Sequence, residues 1–329
     1  MRFVKSKYYC FGFLTGLLIS CNTAAPKPEN KTAQQAVAIH TSYPVITVLG
    51  TAQDAGAPHI ACKKECCALL FNNPEQHRKV VSLGLIDPKQ EKKYLFEATP
   101  DISVQLRDLS NVSNLAHSDI PDGIFLTHAH IGHYTGLMYL GKEATNTKET
   151  AVYAMPKMKA FLTENGPWSQ LVTNPNIVLN PLQDQQEITL SENLSVVPFT
   201  VPHRDEYSET VGYTISGPRK KVLFIPDINK WELWDKGIVE VIAEVDYAFV
   251  DASFYDGSEI NNRDISTIPH PFVIESMALF KNLSATEKDK IYFIHFNHTN
   301  PLLNPKSQQY KAVIAKGFHV AQEGAIFEL

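Results

Sequence analysis

Three histidines stand within six residues, at His128, His130 and His133. The apolar run Gly123 to Leu126 just before them reads as a buried strand. On a helix, the i, i+2 pair His128 and His130 would point to different faces. In the turn that leaves a strand, such side chains converge on one point. Zinc takes neutral imidazoles at about 2.0–2.1 Å, with one position left open where it catalyses. A lone histidine is usually a satisfied core or surface residue, but three at this spacing point to a metal.

His128-Ala129-His130-Ile131-Gly132-His133 resembles the HxHxDH signature of the metallo-β-lactamase superfamily. Three stretches downstream extend the resemblance, each closing a predicted strand. Val197 to Pro202 leads to His203, where the superfamily has the third histidine of its first metal site. Phe224-Ile225-Pro226 leads to Asp227, at the place of the bridging aspartate. Tyr292-Phe293-Ile294 leads to His295, at the place of the last histidine. The resemblance implies a first site of His128, His130, His203 and Asp227 and a second of His133, His295 and Asp227. Together they would hold one or two catalytic Zn2+ ions. The departure is Gly132, where the superfamily usually has an aspartate for the second metal. The small residue is expected to leave room there, so Gly132→Asp is expected to raise zinc occupancy. Without that aspartate the second ion keeps three protein ligands and an open position. Asp54, in the first loop, is a candidate to lend a further oxygen.

Thr51-Ala52-Gln53-Asp54-Ala55-Gly56, a cysteine cluster, and His295-Phe296-Asn297-His298-Thr299-Asn300-Pro301 resemble the pyrroloquinoline quinone biosynthesis protein B branch. The layout is also similar to the cyclic ribose-phosphate phosphodiesterase of phosphonate degradation. In that family three cysteines, and a histidine shortly after the last catalytic one, hold a structural zinc. The matching positions are Cys62, Cys66, Cys67 and His298, with C-x-x-x-C-C in place of the family's C-x-C-x-x-C. Two outcomes stay open for these cysteines. Adjacent Cys66 and Cys67 do not readily bond each other, so a disulfide leaves one thiol over, whereas a Cys3His zinc uses all three. His270 precedes a predicted helix, where the phosphodiesterase has a histidine acting as general acid. A loop histidine without a role is the other reading. Arg204, Asp205, Glu206, Tyr207 and Thr210 follow His203 and are expected at the mouth of the site. Arg204 and Tyr207 are candidates for substrate contact. Trp168, Trp231 and Trp234 read as packing.

The rest of the chain must position these residues. At 329 residues, 44% hydrophobic and 20% charged, it is long enough for one large core. The net charge of −5 gives no electrostatic case for nucleic acid as a partner. Residues 1–21 read as a bacterial lipoprotein signal. Arg2, Lys5 and Lys7 precede the short apolar run Tyr8 to Ile19, and Leu18-Ile19-Ser20-Cys21 resembles a cleavage box with Cys21 lipidated. An ordinary secretory signal or an uncleaved anchor is the alternative. Residues 22–42, rich in Pro, Ala, Lys and Gln, read as a flexible tether, and 43–329 as one domain.

Predicted strands in that domain are Pro44 to Leu49, Val80 to Ile86, Lys93 to Ala98, Gly123 to Leu126, Ala151 to Met155, Ile188 to Leu190, Leu194 to Val201, Val211 to Ser216, Lys221 to Ile225, Tyr247 to Val250, Lys290 to His295 and Ile326 to Leu329. Helices are predicted over Pro100 to Leu109, after the histidine motif, over Pro156 to Glu164 and over Pro271 to Phe280. Periodicity alone gives mixed α and β. The resemblance implies an α/β fold, the αββα sandwich of two sheets between helix layers.

The expected function is a zinc-dependent hydrolase of a small molecule with an ester-type bond, a phosphodiester first by family analogy. Water between the metals loses a proton near neutral pH and attacks. The metals stabilise the developing charge and His270 protonates the leaving group. Three alternatives stand: a lactonase- or β-lactamase-type hydrolase, a redox role in quinone-cofactor maturation, and a metal-bound scaffold without turnover, the last motivated by Gly132. An exported, lipid-anchored location argues against cofactor assembly, which is expected in the cytoplasm. Cys21→Ser is expected to move the protein out of the membrane fraction or to block its maturation. Fractionation showing unchanged membrane association counts against the anchor.

Overall fold

Two seven-stranded sheets organise the chain. The computed structural model describes residues 41–115, 118–260 and 264–329. The signal segment with Cys21, and residues 22–40 of the tether, lie outside the described residues. The first sheet carries β1 (Val45–Gly50), β2 (Ser82–Asp87), β3 (Lys92–Phe96), β4 (Gly123–Phe125), β5 (Thr150–Ala154) and β6 (Ile177–Pro181). The second carries β7 (Ile188–Ser191), β8 (Leu194–Thr200), β9 (Val211–Ser216), β10 (Lys221–Ile225), β11 (Tyr247–Asp251), β12 (Ile291–Ile294) and β13 (His319–Val320). β14 (Ile326–Glu328) returns to the first sheet and pairs antiparallel with β1, as expected for the closing strand. The strand orders are β14-β1-β2-β3-β4-β5-β6 and β13-β12-β11-β10-β9-β8-β7.

The period of two along each strand builds the layers. On β10, Val222 and Phe224 join the core between the sheets, while Leu223 and Ile225 join the core beneath the helices of the second sheet. On β3, Phe96 faces the inner core and Leu95 the helices of the first sheet. Phe96 anchors the inner layer, with Phe125 stacked at 5.0 Å, Tyr213 edge-on at 5.3 Å and Phe224 edge-on at 6.3 Å. Trp231 and Trp234 pack in the outer core of the second sheet, and Trp168 packs against that of the first. The result is the α/β sandwich that the resemblance implied.

Several boundaries differ from expectation. The helix expected over Pro100 to Leu109 spans Ile102–Ser113, because Val112 still faces the core and Asn114 ends it at a left-handed φ of 52°. After the histidine motif there is one turn of helix, Ile131–Tyr134, followed by a 3-10 stretch, Thr135–Leu140. Edge strand β6 and the helices Ile238–Ala243 and Gln308–Ala315 were not expected. In β6 the outward Val178 is apolar between buried Ile177 and Leu179, and the strand ends on a proline, so its sequence shows no apolar/polar alternation.

Strand direction positions the site. β3 and β4 run parallel, as do β10, β11 and β12, and β8 runs with β10 because both oppose β9. Their C-terminal ends carry Glu97, His128, Asp227, Asp251, His295 and His203. Open α/β sheets place ligands at such ends. Bonds between the sheets join these edges. The Tyr213 hydroxyl donates to the Leu126 carbonyl, Val211 N–H to the Thr127 carbonyl (3.2 Å) and Ala129 N–H to Ser208 Oγ (2.8 Å).

Candidate metal centre

The loop after β4 is held on both sides, and its histidines turn inward. His130 Nδ1 lies 2.8 Å from His128 Nε2 and 3.3 Å from His203 Nε2. Asp227 Oδ2 lies 3.3 Å from His128 Nε2, 3.2 Å from His203 Nε2 and 3.9 Å from His130 Nδ1. Tetrahedral ligation at zinc bond lengths requires about 3.3 Å between neighbouring donors. The four residues offer one atom each within 4.8 Å of the others, so their geometry fits a cation. Burial holds His128 well below the usual histidine range, aided by His133, and leaves the imidazole neutral as ligation requires. Burial works against the Asp227 charge, but His203, His270 and His295 outweigh it and hold the carboxyl well below its usual range.

A second group lies beside the first. Asp54, His133 and His295 bring one ligand atom each within 4.8 Å of the others. His133 Nε2 is 3.5 Å from Asp54 Oδ1 and 4.0 Å from Asp227 Oδ2. His133 and His295 are fully buried, and Nε2 of each has no hydrogen-bond partner, nor has Asp227 Oδ1. Buried nitrogens and oxygens are left without partners rarely and at a cost. His133 Nε2 and His295 Nε2, grouped with Asp54, are atoms that a bound cation would satisfy.

The expectation that Gly132 leaves room is overturned. A Cβ at position 132 would lie 2.4 Å from Asp54 Oδ1 and 2.5 Å from Asp54 Cα. Asp54 fills that space, and its Oδ1 accepts the Gly132 N–H at 3.2 Å. The first loop delivers it through a turn in which Gly56 N–H bonds the Gln53 carbonyl and Gly56 takes a φ of 70°. Phe296 N–H to the Thr51 carbonyl and Gln53 N–H to the Phe296 carbonyl, both 2.8 Å, stitch that loop to the end of β12. A carboxylate therefore stands at the second group, supplied by the first loop.

Further residues complete the surroundings. His270 Nδ1 sits 2.9 Å from Asp251 Oδ2 and 3.2 Å from Asp227 Oδ1. Asp251 also accepts from Ser253, whose hydroxyl lies 3.0 Å from His295 Nδ1. Glu97 Oε1 lies 3.3 Å from His133 Nδ1, with Glu97 fully buried. Glu97 and His295 both adopt left-handed backbone, φ 75° and 66°, directly after a strand. Such strain persists where surroundings over-determine it and collects at functional sites. Glu97, Asp251 and Ser253 were missed from sequence, although Glu97 and Asp251 share the signal that singled out Asp227, a carboxylate ending an apolar strand. Arg204, Asp205, Glu206 and Tyr207 are exposed beyond His203, whereas Thr210 is buried. Tyr207 lies against Phe161 at 5.6 Å.

The cysteine cluster forms a separate group. Cys62, Cys66, Cys67 and His298 bring one ligand atom each within 4.8 Å of the others, with 4.0 Å between the sulfurs of Cys66 and Cys67. The three are free thiols. Cys67 Sγ accepts the His59 N–H at 3.3 Å, and the His59 and His298 rings lie 4.3 Å apart. Burial, with help from His59, lowers His298 to about 4 and keeps it neutral.

The β-lactamase superfamily domain model matches residues 92–296. The chain belongs to the β-lactamase superfamily. Coenzyme PQQ synthesis protein B of Methylorubrum extorquens is 24% identical over 317 residues, covering 86% of this chain and 99% of that relative. The same-named protein of Klebsiella pneumoniae is 25% identical over 312 residues, covering 86% and 98%. Among solved structures, zinc-bound PqqB from Methylobacterium extorquens matches with a TM-score of 0.69 at 21% identity, over 87% of this chain and 100% of that one. A diphosphatase of the PhnP family matches with a TM-score of 0.60 at 20% identity, over 87% and 97%. The superfamily match begins after the first loop, so Asp54 and the cysteines lie outside it.

The filled space at Gly132 reverses the expectation for Gly132→Asp. That variant should lose about 1–3 kcal/mol of stability, the scale of overpacking, and gain no metal. Adding Asp54→Gly removes the Oδ1 contact but keeps the Cα one at 2.5 Å, so stability should return only in part, which melting curves and metal analysis of the single and double variants will check. For the cysteine cluster, Cys66→Ser should lower both the melting temperature and the zinc content. Unchanged zinc stoichiometry in that variant rules out a thiolate-held ion.

Proposed function

We infer that this chain is a metal-dependent hydrolase that works with zinc on a phosphodiester or similar ester of a small molecule. The observation that carries the reading is the pair of ligand groups meeting at Asp227, 3.2 Å from His203 and 4.0 Å from His133. His128, His130, His203 and Asp227 would hold one ion, and His133, His295, Asp54 and Asp227 a second. Zinc there supplies Lewis acidity and makes water nucleophilic near neutral pH. The chain's own residues set the geometry. Thr127 and Asn229 orient His128 and His203 from behind, at 2.8 and 3.2 Å. His270 holds a proton: burial disfavours it, but Asp251 and Asp227 outweigh burial and raise the imidazole to about 10. Its protonated ring is the donor to the leaving group in this reading. Cys62, Cys66, Cys67 and His298 would hold a further, structural zinc, which would tie the first loop to the end of β12. The lipobox reading of Cys21 would place the enzyme at a bacterial membrane surface.

A second reading is favoured by the likeness to coenzyme PQQ synthesis protein B, which spans 86% of this chain. It is a redox role in cofactor maturation, and metal analysis with a hydrolase assay separates the two. Iron or copper in the purified protein supports the redox role; zinc leaves the decision to the hydrolase assay, since PqqB is itself found zinc-bound. The zinc-loaded protein is expected to cleave bis(p-nitrophenyl) phosphate and to stop on chelation. Asp227→Asn should lower kcat by about 10²–10³-fold, the scale of losing one electrostatic stabiliser. Zinc-loaded protein inert towards phosphodiester, lactone and β-lactam substrates overturns the hydrolase reading.

A further inference from the structure

Each histidine of the two groups has one nitrogen turned inward and one turned out. Four of the outer nitrogens meet an atom able to accept: Thr127 Oγ1 behind His128 (2.8 Å), Asn229 Oδ1 behind His203 (3.2 Å), Glu97 Oε1 behind His133 (3.3 Å) and Ser253 Oγ behind His295 (3.0 Å). His130 differs. Its inner atom is Nδ1, and its outer Nε2 faces two side chains of opposite character. Arg204 Nη2 stands 3.4 Å away and Glu206 Oε2 3.7 Å away.

A guanidinium only donates and an ionised carboxylate only accepts. Arg204 can hold Nε2 only while that nitrogen keeps its lone pair, which places the proton on Nδ1. That tautomer cannot ligate through Nδ1. Ligation through Nδ1 places the proton on Nε2, where Arg204 has nothing to bind and Glu206 accepts. We propose that metal binding exchanges the outer partner of His130 from Arg204 to Glu206. The exchange frees the Arg204 guanidinium for an anionic group of the substrate. The inference rests on the metal-site reading above.

The surroundings suit such an exchange. Arg204 and Glu206 are exposed, on a segment fixed at one end by His203 and at the other by Ser208, which accepts from Ala129 N–H. The Glu206 side chain is 52% exposed and that of His130 only 14%, so the partners can swing while the imidazole stays. A guanidinium takes phosphoryl oxygens in a bidentate fork, so the freed residue suits a phosphoryl group in particular.

Two measurements test this, and neither depends on turnover. The first is zinc affinity by chelator competition for the wild type, Glu206→Ala, Arg204→Ala and Asp205→Asn. Glu206→Ala, which leaves no acceptor there, should weaken zinc about tenfold, the low end for losing an outer partner of a ligating histidine. Arg204→Ala should not weaken it, and Asp205→Asn, the same charge change one residue away, should leave it unchanged. The second is calorimetric titration with phenyl phosphate. Zinc-loaded wild type should bind it about tenfold more tightly than zinc-loaded Arg204→Ala, the order of magnitude of one charge-assisted hydrogen bond. The two metal-free proteins should not differ. Equal zinc affinities for Glu206→Ala and wild type overturn the exchange, as does an equal fall in Asp205→Asn. Equal phenyl phosphate affinities in the zinc-loaded forms overturn the role of Arg204. A wild type that binds no zinc overturns the metal-site reading itself, whereas one that binds zinc but hydrolyses nothing leaves the exchange standing.

Discussion

Asp227 keeps a charge that burial opposes. It is 2% exposed, and an isolated carboxylate out of water would take up a proton. It stays ionised because His203 and His270, each 3.2 Å from one of its oxygens, and His295 outweigh burial, with His128 3.3 Å away. None of those histidines is its neighbour in sequence. The fold must bring the ends of β4, β8 and β10, and the loop before the Val273–Leu279 helix, to one point. The aromatic layer around Phe96 and the bonds from Tyr213, Val211 and Ser208 to the histidine loop hold the two sheets in that register. If a strand slipped by one residue in its ladder, its inward side chains would face outward and the cluster would disperse.

The surrounding shell explains how the rings hold their orientation without help from solvent. Thr127, Asn229, Glu97 and Ser253 each stand behind one imidazole, and Asp251 stands behind Ser253 and His270. Where the outer nitrogen makes a hydrogen bond, as with Thr127, Asn229 and Ser253, that bond fixes which inner nitrogen offers a lone pair; Glu97 lies 3.3 Å behind His133 Nδ1 without one. Strain at Glu97 and His295 belongs to the same arrangement. Both backbones turn left-handed to send the chain away just where the side chain must point in.

Much of this was legible in the sequence. The histidine triplet, His203, Asp227 and His295 each close an apolar run, and period-two strands with turn residues between them located most of the sandwich. What was not legible came from elements with weak patterns or from contacts far apart in sequence. β6 and the Ile238–Ala243 helix lack a clean apolar period. Glu97 and Asp251 read as ordinary strand ends, because a carboxylate after a strand is usually a turn or cap. Asp54 stood as a candidate to lend an oxygen, but that it occupies the space beside Gly132, 78 residues away, was not readable. Only the folded chain shows that the glycine is small because the aspartate is there.

That pairing constrains how this chain can have arisen. A chain with the signature aspartate at 132 and another at 54 would be overcrowded, since even a Cβ at 132 approaches Asp54 Oδ1 to 2.4 Å. A chain with neither would offer the second group two imidazoles and a shared carboxylate. The two positions are therefore epistatic: the effect of each residue depends on the identity of the other. A lineage moving the carboxylate from the motif to the first loop crosses one of two unfavourable intermediates. The path through glycine at both positions is the sterically open one, and it lowers metal affinity before the loop aspartate restores it. Relatives that carry an aspartate at the position of Gly132 should accordingly hold their first loop farther from the motif.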